Sequence, residues 1–262
     1  MLKLGVIDVL NVLPVYYGIL KGIVPISCEI VKGKVTELNK KLNSGEIDIS
    51  VISSFEYATN YTEYFVLPKL SVSADGPVKS IYLFTQRPLN EMNGDRIKLT
   101  ELSFTSVHLV QYLLKELNVA YVKDDTDVSG ELLIADDAIR RYYEKCDPYV
   151  YDLSALWKEK TKLPFVFALW CVRKEVFLNQ AKSVREVHAA LLKSRELSRG
   201  QERTMANEKF KGVFPDPHSC TQYLENLRYD FSPQFQAGFN LFQEKMIGLG
   251  KLMEKAPIRL IQ

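Results

Sequence analysis

The amino-acid sequence predicts an α/β protein built as two lobes with a ligand cleft between them. Strand and helix patterns alternate through the first third of the 262 residues and again through the middle third. This alternation is typical of βαβ units and a parallel sheet. Two long apolar segments, 76–86 and 163–174, enclose the middle part. We expect both segments to cross between the lobes. The substrate would then lie in the cleft between the two lobes, where ligand sites commonly form.

The composition is typical of a globular protein and excludes several functional classes. Apolar residues make up 47% of the chain and charged residues 25%, which are ordinary values. The net charge of +2 is too small to indicate nucleic-acid binding, which needs a concentrated basic face. The longest apolar runs, such as LPFVFALWCV, are too short to cross a bilayer. We therefore expect a small-molecule ligand and neither a nucleic-acid nor a membrane partner; the sequence does not determine the oligomeric state.

The N-terminal segment MLKLGVIDVLNVLP predicts a first β-strand and not a secretion signal. Asp8 and Asn11 interrupt its apolar run, and no small-residue cleavage site follows. The four cysteines lie far apart and form no CxxC pair. We therefore expect reduced thiols and a cytoplasmic location.

The first part of the chain predicts three strands separated by two helices. LGVIDVL is almost continuously apolar, as in a strand buried on both faces, and PVYYGILKG predicts a helix that ends at Gly22. PISCEIV predicts the second strand. VTELNKKLNSG predicts a helix because Leu38 and Leu42 are one turn apart. ISVIS predicts the third strand.

The middle part repeats this pattern, and the last part is mostly helical. Strands are predicted in DRIKLT, AYVKD and GELLIA, and helices in TSVHLVQYLLKEL and DDAIRRYYEK. No linker rich in Pro, Gly or Ser marks a domain boundary, which favours a discontinuous first domain. We therefore assign residues 1–86 and 174–262 to lobe one and residues 87–173 to lobe two.

The common catalytic signatures are absent from the sequence. It contains no GxGxxG, GxxxxGK[ST], HExxH or GxSxG motif. The three histidines are scattered, and the segment DPHSC around His218 offers too few ligands to indicate a metal. We therefore expect no metal site.

Hydroxyl side chains stand at two transitions from strand to helix. Ser53 and Ser54 precede FEYA, and Thr105 and Ser106 precede the next amphipathic run. Helix capping alone explains both pairs, because serine is a preferred N-cap residue. The same hydroxyls and backbone N–H groups attract a carboxylate. Two such helix starts, facing each other across a cleft, would hold both ends of a small dicarboxylate.

Four further polar residues each allow two interpretations. Asn11, at the end of an apolar strand, is either a turn residue or a donor and acceptor for a ligand. Ser80, on the first crossing segment, either pairs with backbone or points into the cleft. Asp136 and Asp137 follow the strand ELLIA and either cap the next helix or form a wall of the cleft.

Six segments together resemble one family. They are NVLPVYYG (11–18), LNSGEIDISVISSFEYATN (42–60), LSVSADGPVKSIYLF (70–84), TSVHLV (105–110), LLIADDAIR (132–140) and YVYDLSALWKEKTKLPFVFALWCVR (149–173). Across most of residues 3–174 the chain resembles the chorismate dehydratase family of the futalosine route to menaquinone. The resemblance implies a fold like that of type II periplasmic binding proteins, with two lobes, mixed sheets and two crossing strands. It also implies removal of water from chorismate, giving 3-[(1-carboxyvinyl)oxy]benzoate, without a cofactor.

The resemblance also implies roles for particular residues. Asn11 and Ser80 match the polar positions nearest the chemistry. The positions that match the lining of the substrate cleft are Ser53, Ser54, Thr105 and Ser106. Asp136 and Asp137 match a family motif without an assigned role. No His, Lys or Glu is evidently placed as a base, so we hypothesise that the enolpyruvyl carboxylate of the substrate takes the proton.

Two other functions stay open at this point. A cytoplasmic binding or sensor protein for a small dicarboxylate would use the same cleft without turnover. The related enzyme of the same pathway, which acts on a cyclic futalosine derivative, has a similar fold but needs a pocket for a nucleoside-derived substrate. Incubation with chorismate distinguishes all three.

Overall fold

The computed structural model describes residues 1–124 and 127–262, which form two mixed sheets flanked by helices. The strands are β1 Leu2–Ile7, β2 Cys28–Gly33, β3 Ile49–Ser53, β4 Tyr64–Ala74, β5 Ile81–Thr85, β6 Arg96–Lys98, β7 Ala120–Val122, β8 Gly130–Ile134, β9 Tyr149–Asp152 and β10 Phe165–Arg173. The helices are α1 Leu13–Leu20, α2 Val35–Ser44, α3 Ser54–Thr59, α4 Phe104–Leu113, α5 Ala135–Glu144, α6 Leu153–Thr161, α7 Lys174–Ser198, α8 Glu202–Lys209, α9 Pro217–Asn226 and α10 Pro233–Gly248. These elements confirm the predicted two-lobed α/β class.

The first sheet has the strand order β2-β1-β3-β10-β4 and is mixed. Strand β1 runs parallel to β2 and β3, whereas β10 runs antiparallel to both β3 and β4. The expectation of a parallel sheet, drawn from strand and helix alternation alone, is therefore wrong for this half of the sheet. The reason is that β10 comes back from the second lobe and enters between β3 and β4 in the opposite direction.

The second sheet has the order β7-β6-β8-β5-β9 and begins directly after the first crossing. Strand β5 pairs antiparallel with β8 and β9, and β6 pairs parallel with β7 and β8. The chain crosses between the sheets in two short connections, 75–80 and 162–164.

The strand pairing shows which part of each expected crossing segment lies between the sheets. The segment Ile81–Thr85 lies wholly in the second sheet, and Phe165–Arg173 lies wholly in the first. Neither strand spans both lobes, because each uses its backbone groups on neighbours within one sheet. We accordingly propose that the lobe limits lie in the two connections and not at residues 86 and 174.

Large aromatic side chains fill the first lobe beneath the cleft. Trp170 of β10 is fully buried, and its indole Nε1 donates a hydrogen bond to the hydroxyl of Tyr16 over 2.8 Å. Because a buried indole N–H needs a partner, this bond fixes α1 against the sheet. Burial also raises the pKa of Tyr16, so its hydroxyl stays protonated. Helix α1 follows the segment that contains Asn11.

The C-terminal helices contact both lobes. Helix α7 packs along α1 and bends at Gln180, whose backbone angles are not helical. Helix α9 reaches the first connection, where the Asn226 amide donates to the Pro77 carbonyl. Helix α10 packs against β10 and the short helix α3. Among the helices of residues 1–124 and 127–262, none has both the length and the apolar character needed to cross a membrane.

Candidate functional site

A cavity of about 150 Å³ lies between the lobes, at the carboxyl ends of β1 and β3. In α/β proteins ligands commonly bind at this edge of a sheet. Its polar lining residues are Asn11, Ser53, Ser80, Ser103 and Ser106. The rest of the lining is apolar, with side chains such as Ile7, Val51 and Phe167. We define this space as the cleft cavity.

Asn11 enters the cleft cavity from a 3₁₀ turn, Leu10–Val12, that follows β1. Pro14 then stands in the first turn of α1. Proline suits this position because the N–H groups of the first turn have no partner within the helix, and proline has no N–H. The Oδ1 atom of Asn11 is buried and accepts no hydrogen bond from any residue that the structure describes. A buried polar atom without a partner costs free energy. The amide is therefore available for a ligand.

Ser80 is the last residue of the first connection and is buried. Its Oγ accepts a hydrogen bond from the hydroxyl of Tyr223 over 3.2 Å, and its carbonyl accepts one from the Ala135 N–H over 2.8 Å. Ala135, which also lines the cavity, has a φ of +54°. That conformation is costly for a residue other than glycine, and such residues cluster at functional sites.

The carboxylate of Asp152 holds the chain that leads into Ser80. It accepts from the N–H groups of Val78 over 3.2 Å and Lys79 over 2.7 Å, and it also caps the first turn of α6. Burial raises the pKa of Asp152, while these backbone donors act in the opposite direction. One side chain thus fixes both the connection and the helix that follows β9.

Two serines cap the helices that begin at the cleft cavity. Ser53 Oγ accepts from the N–H of Glu56 over 3.2 Å at the start of α3. Ser103 Oγ accepts from both the N–H of Ser106, over 3.2 Å, and its hydroxyl, over 3.1 Å, at the start of α4. Sequence reasoning missed Ser103, although its position three residues before Ser106 is the ordinary spacing of an N-cap contact.

Ser54 and Thr105 do not line the cleft cavity but contact each other beside it. Their hydroxyl oxygens are 3.5 Å apart, and the N–H of Phe55 donates to Thr105 Oγ1 over 3.1 Å. The two helix starts therefore meet side by side. The expected arrangement, with one start at each end of a dicarboxylate, is wrong because the first turns of α3 and α4 are in direct contact. Both starts adjoin the same part of the cleft.

Charged side chains are absent from the described lining of the cleft cavity. An adjoining outer cavity of about 510 Å³ shares several lining residues with the cleft cavity, and its charged lining residues are Lys32, Lys34, Asp8 and Glu37. His108 of α4 lies behind the lining, with its ring 4.0 Å from that of Phe55. Burial lowers the pKa of His108, so this ring is neutral near pH 7. The site offers neutral hydroxyl, amide and backbone groups.

The two aspartates that follow β8 lie outside the cleft cavity. Asp137 is exposed and pairs with Arg140 over 2.6 Å, and Asp136 lines a separate cavity of about 210 Å³ together with Asp8 and Lys209. Both stand in the first turn of α5, where a negative charge interacts favourably with the helix dipole. Within the described part of the chain, no three His, Cys, Asp or Glu side chains are grouped to hold a metal ion.

Solved structures share this fold at low sequence identity. An Archaeoglobus fulgidus protein matches with a TM-score of 0.72 at 18% identity, covering 95% of this chain and 97% of that one. A Candida albicans protein described as having the generic periplasmic binding protein fold gives a TM-score of 0.68 at 11% identity, covering 100% and 97%. The aliphatic sulphonate binding protein of Escherichia coli gives 0.68 at 13%, covering 100% and 92%. The chain therefore has a fold similar to that of periplasmic binding proteins.

Sequence comparisons identify a narrower relationship. A chorismate dehydratase of Thermus thermophilus is 31% identical over 233 residues, which cover 80% of this chain and 83% of that protein. A chorismate dehydratase of Campylobacter jejuni is 33% identical over 181 residues, covering 67% and 70%. A family model described as menaquinone biosynthesis matches residues 2–246. This chain belongs to that menaquinone biosynthesis family.

Proposed function

We propose that this protein is a chorismate dehydratase, a hydro-lyase that converts chorismate to 3-[(1-carboxyvinyl)oxy]benzoate and water. Support comes from the two relatives with that name, which match most of the chain. The observation that favours this chemistry most is the lining of the cleft cavity, which combines serine hydroxyls and one asparagine with apolar side chains. Such a lining suits a substrate that brings its own charged groups.

Chorismate has two carboxylates, and the cleft offers two kinds of donor for them. One carboxylate is placed at the joined starts of α3 and α4, where Ser53, Ser103 and Ser106 line the cavity. Backbone N–H groups at helix starts attract negative charge. The other carboxylate then lies toward Asn11 and Ser80. The helix starts thus still bind a carboxylate, as the sequence predicts, but together they bind one carboxylate and not one each.

The reaction needs a proton acceptor, and the described lining contains no ionisable side chain. We assign this role to the enolpyruvyl carboxylate of the substrate. It takes the proton from the ring carbon that bears the ether, the neighbouring C–O bond breaks, and the electron pair of the C–H bond completes the aromatic ring. The departing hydroxide takes that proton and leaves as water, so the carboxylate is regenerated. Orientation of reacting groups within one molecule contributes much of the acceleration.

Asn11 and Ser80 position the reacting groups in this proposal. The Asn11 amide donates from Nδ2 to the enolpyruvyl carboxylate, while its Oδ1, which has no partner among the described residues, can only accept. The Ser80 hydroxyl donates to the departing hydroxyl. Hydrogen bonds aimed at developing charge are most effective in a water-excluded site. We also place the protein in the cytoplasm, where its four free thiols would stay reduced.

A turnover assay with chorismate tests the proposal. The purified protein is incubated with chorismate, and the aromatic enolpyruvyl ether is detected by its ultraviolet absorbance and by a mass lower by one water. Product formation proportional to enzyme concentration is the expected result. Tight binding of chorismate without product would instead identify a binding or sensor protein. Absence of both would favour the related enzyme that acts on a cyclic futalosine derivative.

A further inference from the structure

Helix α9 supplies a buried tyrosine, Tyr223, that forms a hydrogen bond with a residue lining the cleft cavity. The hydroxyl of Tyr223 donates a hydrogen bond to Ser80 Oγ over 3.2 Å, and the Tyr223 side chain is only 3% exposed. The two residues are 143 positions apart in the chain. Tyr223 itself does not line the cleft cavity, so any effect on the substrate passes through Ser80.

The hydrogen bond from Tyr223 restricts the direction in which the Ser80 hydroxyl can point its own hydrogen. A serine hydroxyl has one hydrogen and two acceptor lone pairs. Because the hydrogen bond from Tyr223 occupies one lone pair, the serine's own hydrogen points elsewhere and is available on the cavity side. Successive hydrogen bonds also polarise one another, which makes the Ser80 O–H a better donor.

The backbone around Ser80 has little freedom to change this arrangement. The Ser80 carbonyl accepts from Ala135, and the preceding Lys79 N–H is held by Asp152. Helix α9 is tied to the same connection by the Asn226 side chain, which donates to the Pro77 carbonyl. Tyr223 and Ser80 therefore keep their relative positions.

We propose that Tyr223 is a positioning residue, which turns the Ser80 hydroxyl toward the substrate as a hydrogen-bond donor to the departing hydroxyl group. The inference rests on the proposed chorismate dehydratase activity and extends it to the C-terminal helices. The Tyr223 hydroxyl stays protonated throughout, because burial raises its pKa. No proton passes between Tyr223 and Ser80; the contribution is orientation and polarisation.

The test compares Tyr223→Phe with a matched control, Tyr229→Phe. The Tyr229 hydroxyl is also buried but has no hydrogen-bond partner among the described residues, so its removal breaks no such bond. We expect Tyr223→Phe to lower kcat about 10-fold, the effect of one hydrogen bond made in the transition state, with little change in KM. Tyr229→Phe should leave kcat and KM unchanged, and thermal unfolding of both variants reports any loss of folded protein.

A double-mutant cycle distinguishes positioning through Ser80 from a general structural role. Tyr223→Phe should have no further effect on kcat in a Ser80→Ala background, because coupled residues are not additive. An active wild type with an unchanged kcat in Tyr223→Phe, or with additive losses in the double variant, would overturn the positioning role alone. A wild type that does not turn over chorismate would overturn both this inference and the proposed function.

Discussion

The backbone N–H of Phe55 donates a hydrogen bond to Thr105 Oγ1 over 3.1 Å, and this bond joins the first turns of α3 and α4. Helix α3 follows β3 of the first sheet, and α4 follows β6 of the second. Thr105 is almost fully buried. The bond is therefore a direct link between the two lobes beside the cleft cavity.

Removal of the Thr105 hydroxyl should weaken this link. Thr105→Ala leaves the Phe55 N–H without its acceptor, and we expect a loss of about 1 kcal/mol in the free energy of unfolding, together with a higher KM for chorismate. Thr105→Ser keeps the acceptor oxygen, so its free energy of unfolding and its KM for chorismate should stay close to the wild-type values. Urea denaturation and steady-state kinetics measure the two effects. Equal losses in both variants would show that the methyl group matters and the hydrogen bond does not.

Replacement of Asn11 should separate stability from activity. Asn11→Leu removes a buried oxygen that has no partner among the described residues, so we expect an unchanged or higher unfolding temperature. Loss of the amide from the reacting centre should lower kcat about 100-fold.

Asn39 of α2 provides the matched control for that variant. Its Oδ1 is likewise buried and unpaired in the described structure, but it lies outside the cleft lining. Asn39→Leu should therefore leave kcat unchanged. A similar loss of kcat in both variants, or a normal kcat in Asn11→Leu, would contradict the role assigned to Asn11.

Replacement of nearby carboxylates tests the identity of the base. Glu56 accepts from Asn60 over 2.9 Å, and Asp137 pairs with Arg140; neither lines the cleft cavity. Because the substrate carboxylate takes the proton in our proposal, Glu56→Gln and Asp137→Asn should keep kcat within about twofold, whereas Ser80→Ala should lower it by about tenfold or more. If only the acidic variants lose turnover, a protein carboxylate is the base.

His188 should make the protein less stable in mild acid. Its Nε2 is 2.8 Å from the Pro68 carbonyl, which fits a neutral ring with the proton on Nε2. Burial lowers the pKa of His188 below its ordinary value of 6.5; the hydrogen bond with Pro68 acts in the opposite direction, and the neighbouring cations Lys69 and Arg195 lower the pKa further. Below pH 6.5 the unfolded chain therefore binds more protons than the folded one, and the free energy of unfolding falls as the pH decreases.

Urea denaturation at a series of pH values measures this dependence. We expect the unfolding midpoint of the wild type to fall between roughly pH 7 and pH 5, down through the lowered pKa. His188→Gln removes the titrating ring and keeps an amide donor for the Pro68 carbonyl, so its midpoint should fall less over the same range. Burial also lowers the pKa of His108, so this residue contributes to the dependence that is left in the variant. An identical slope in both proteins would show that His188 does not contribute.

Several elements were predictable because their signals are local. ISVIS predicts the third strand, which is Ile49–Ser53, and VTELNKKLNSG predicts a helix, which is Val35–Ser44. Strand β4 was not predicted. Pro68 and Lys69 interrupt it, and Lys69 has a φ of +59°, so its sequence lacks a regular alternation. Periodicity also contains no information on strand direction, so the alternation of strands and helices predicted a parallel sheet, whereas the family resemblance implied the mixed sheets that are found.

The sequence by itself determined the fold class, the family resemblance and the polar residues at the strand ends, including Asn11, Ser53 and Ser80. Only the tertiary structure decided how these groups are paired. It brings Phe55 to Thr105 across 50 positions and Tyr223 to Ser80 across 143, and it leaves the Asn11 oxygen unpaired. The physical reason is that capping and periodicity act within a few residues, whereas these contacts depend on how the two sheets and α9 pack together.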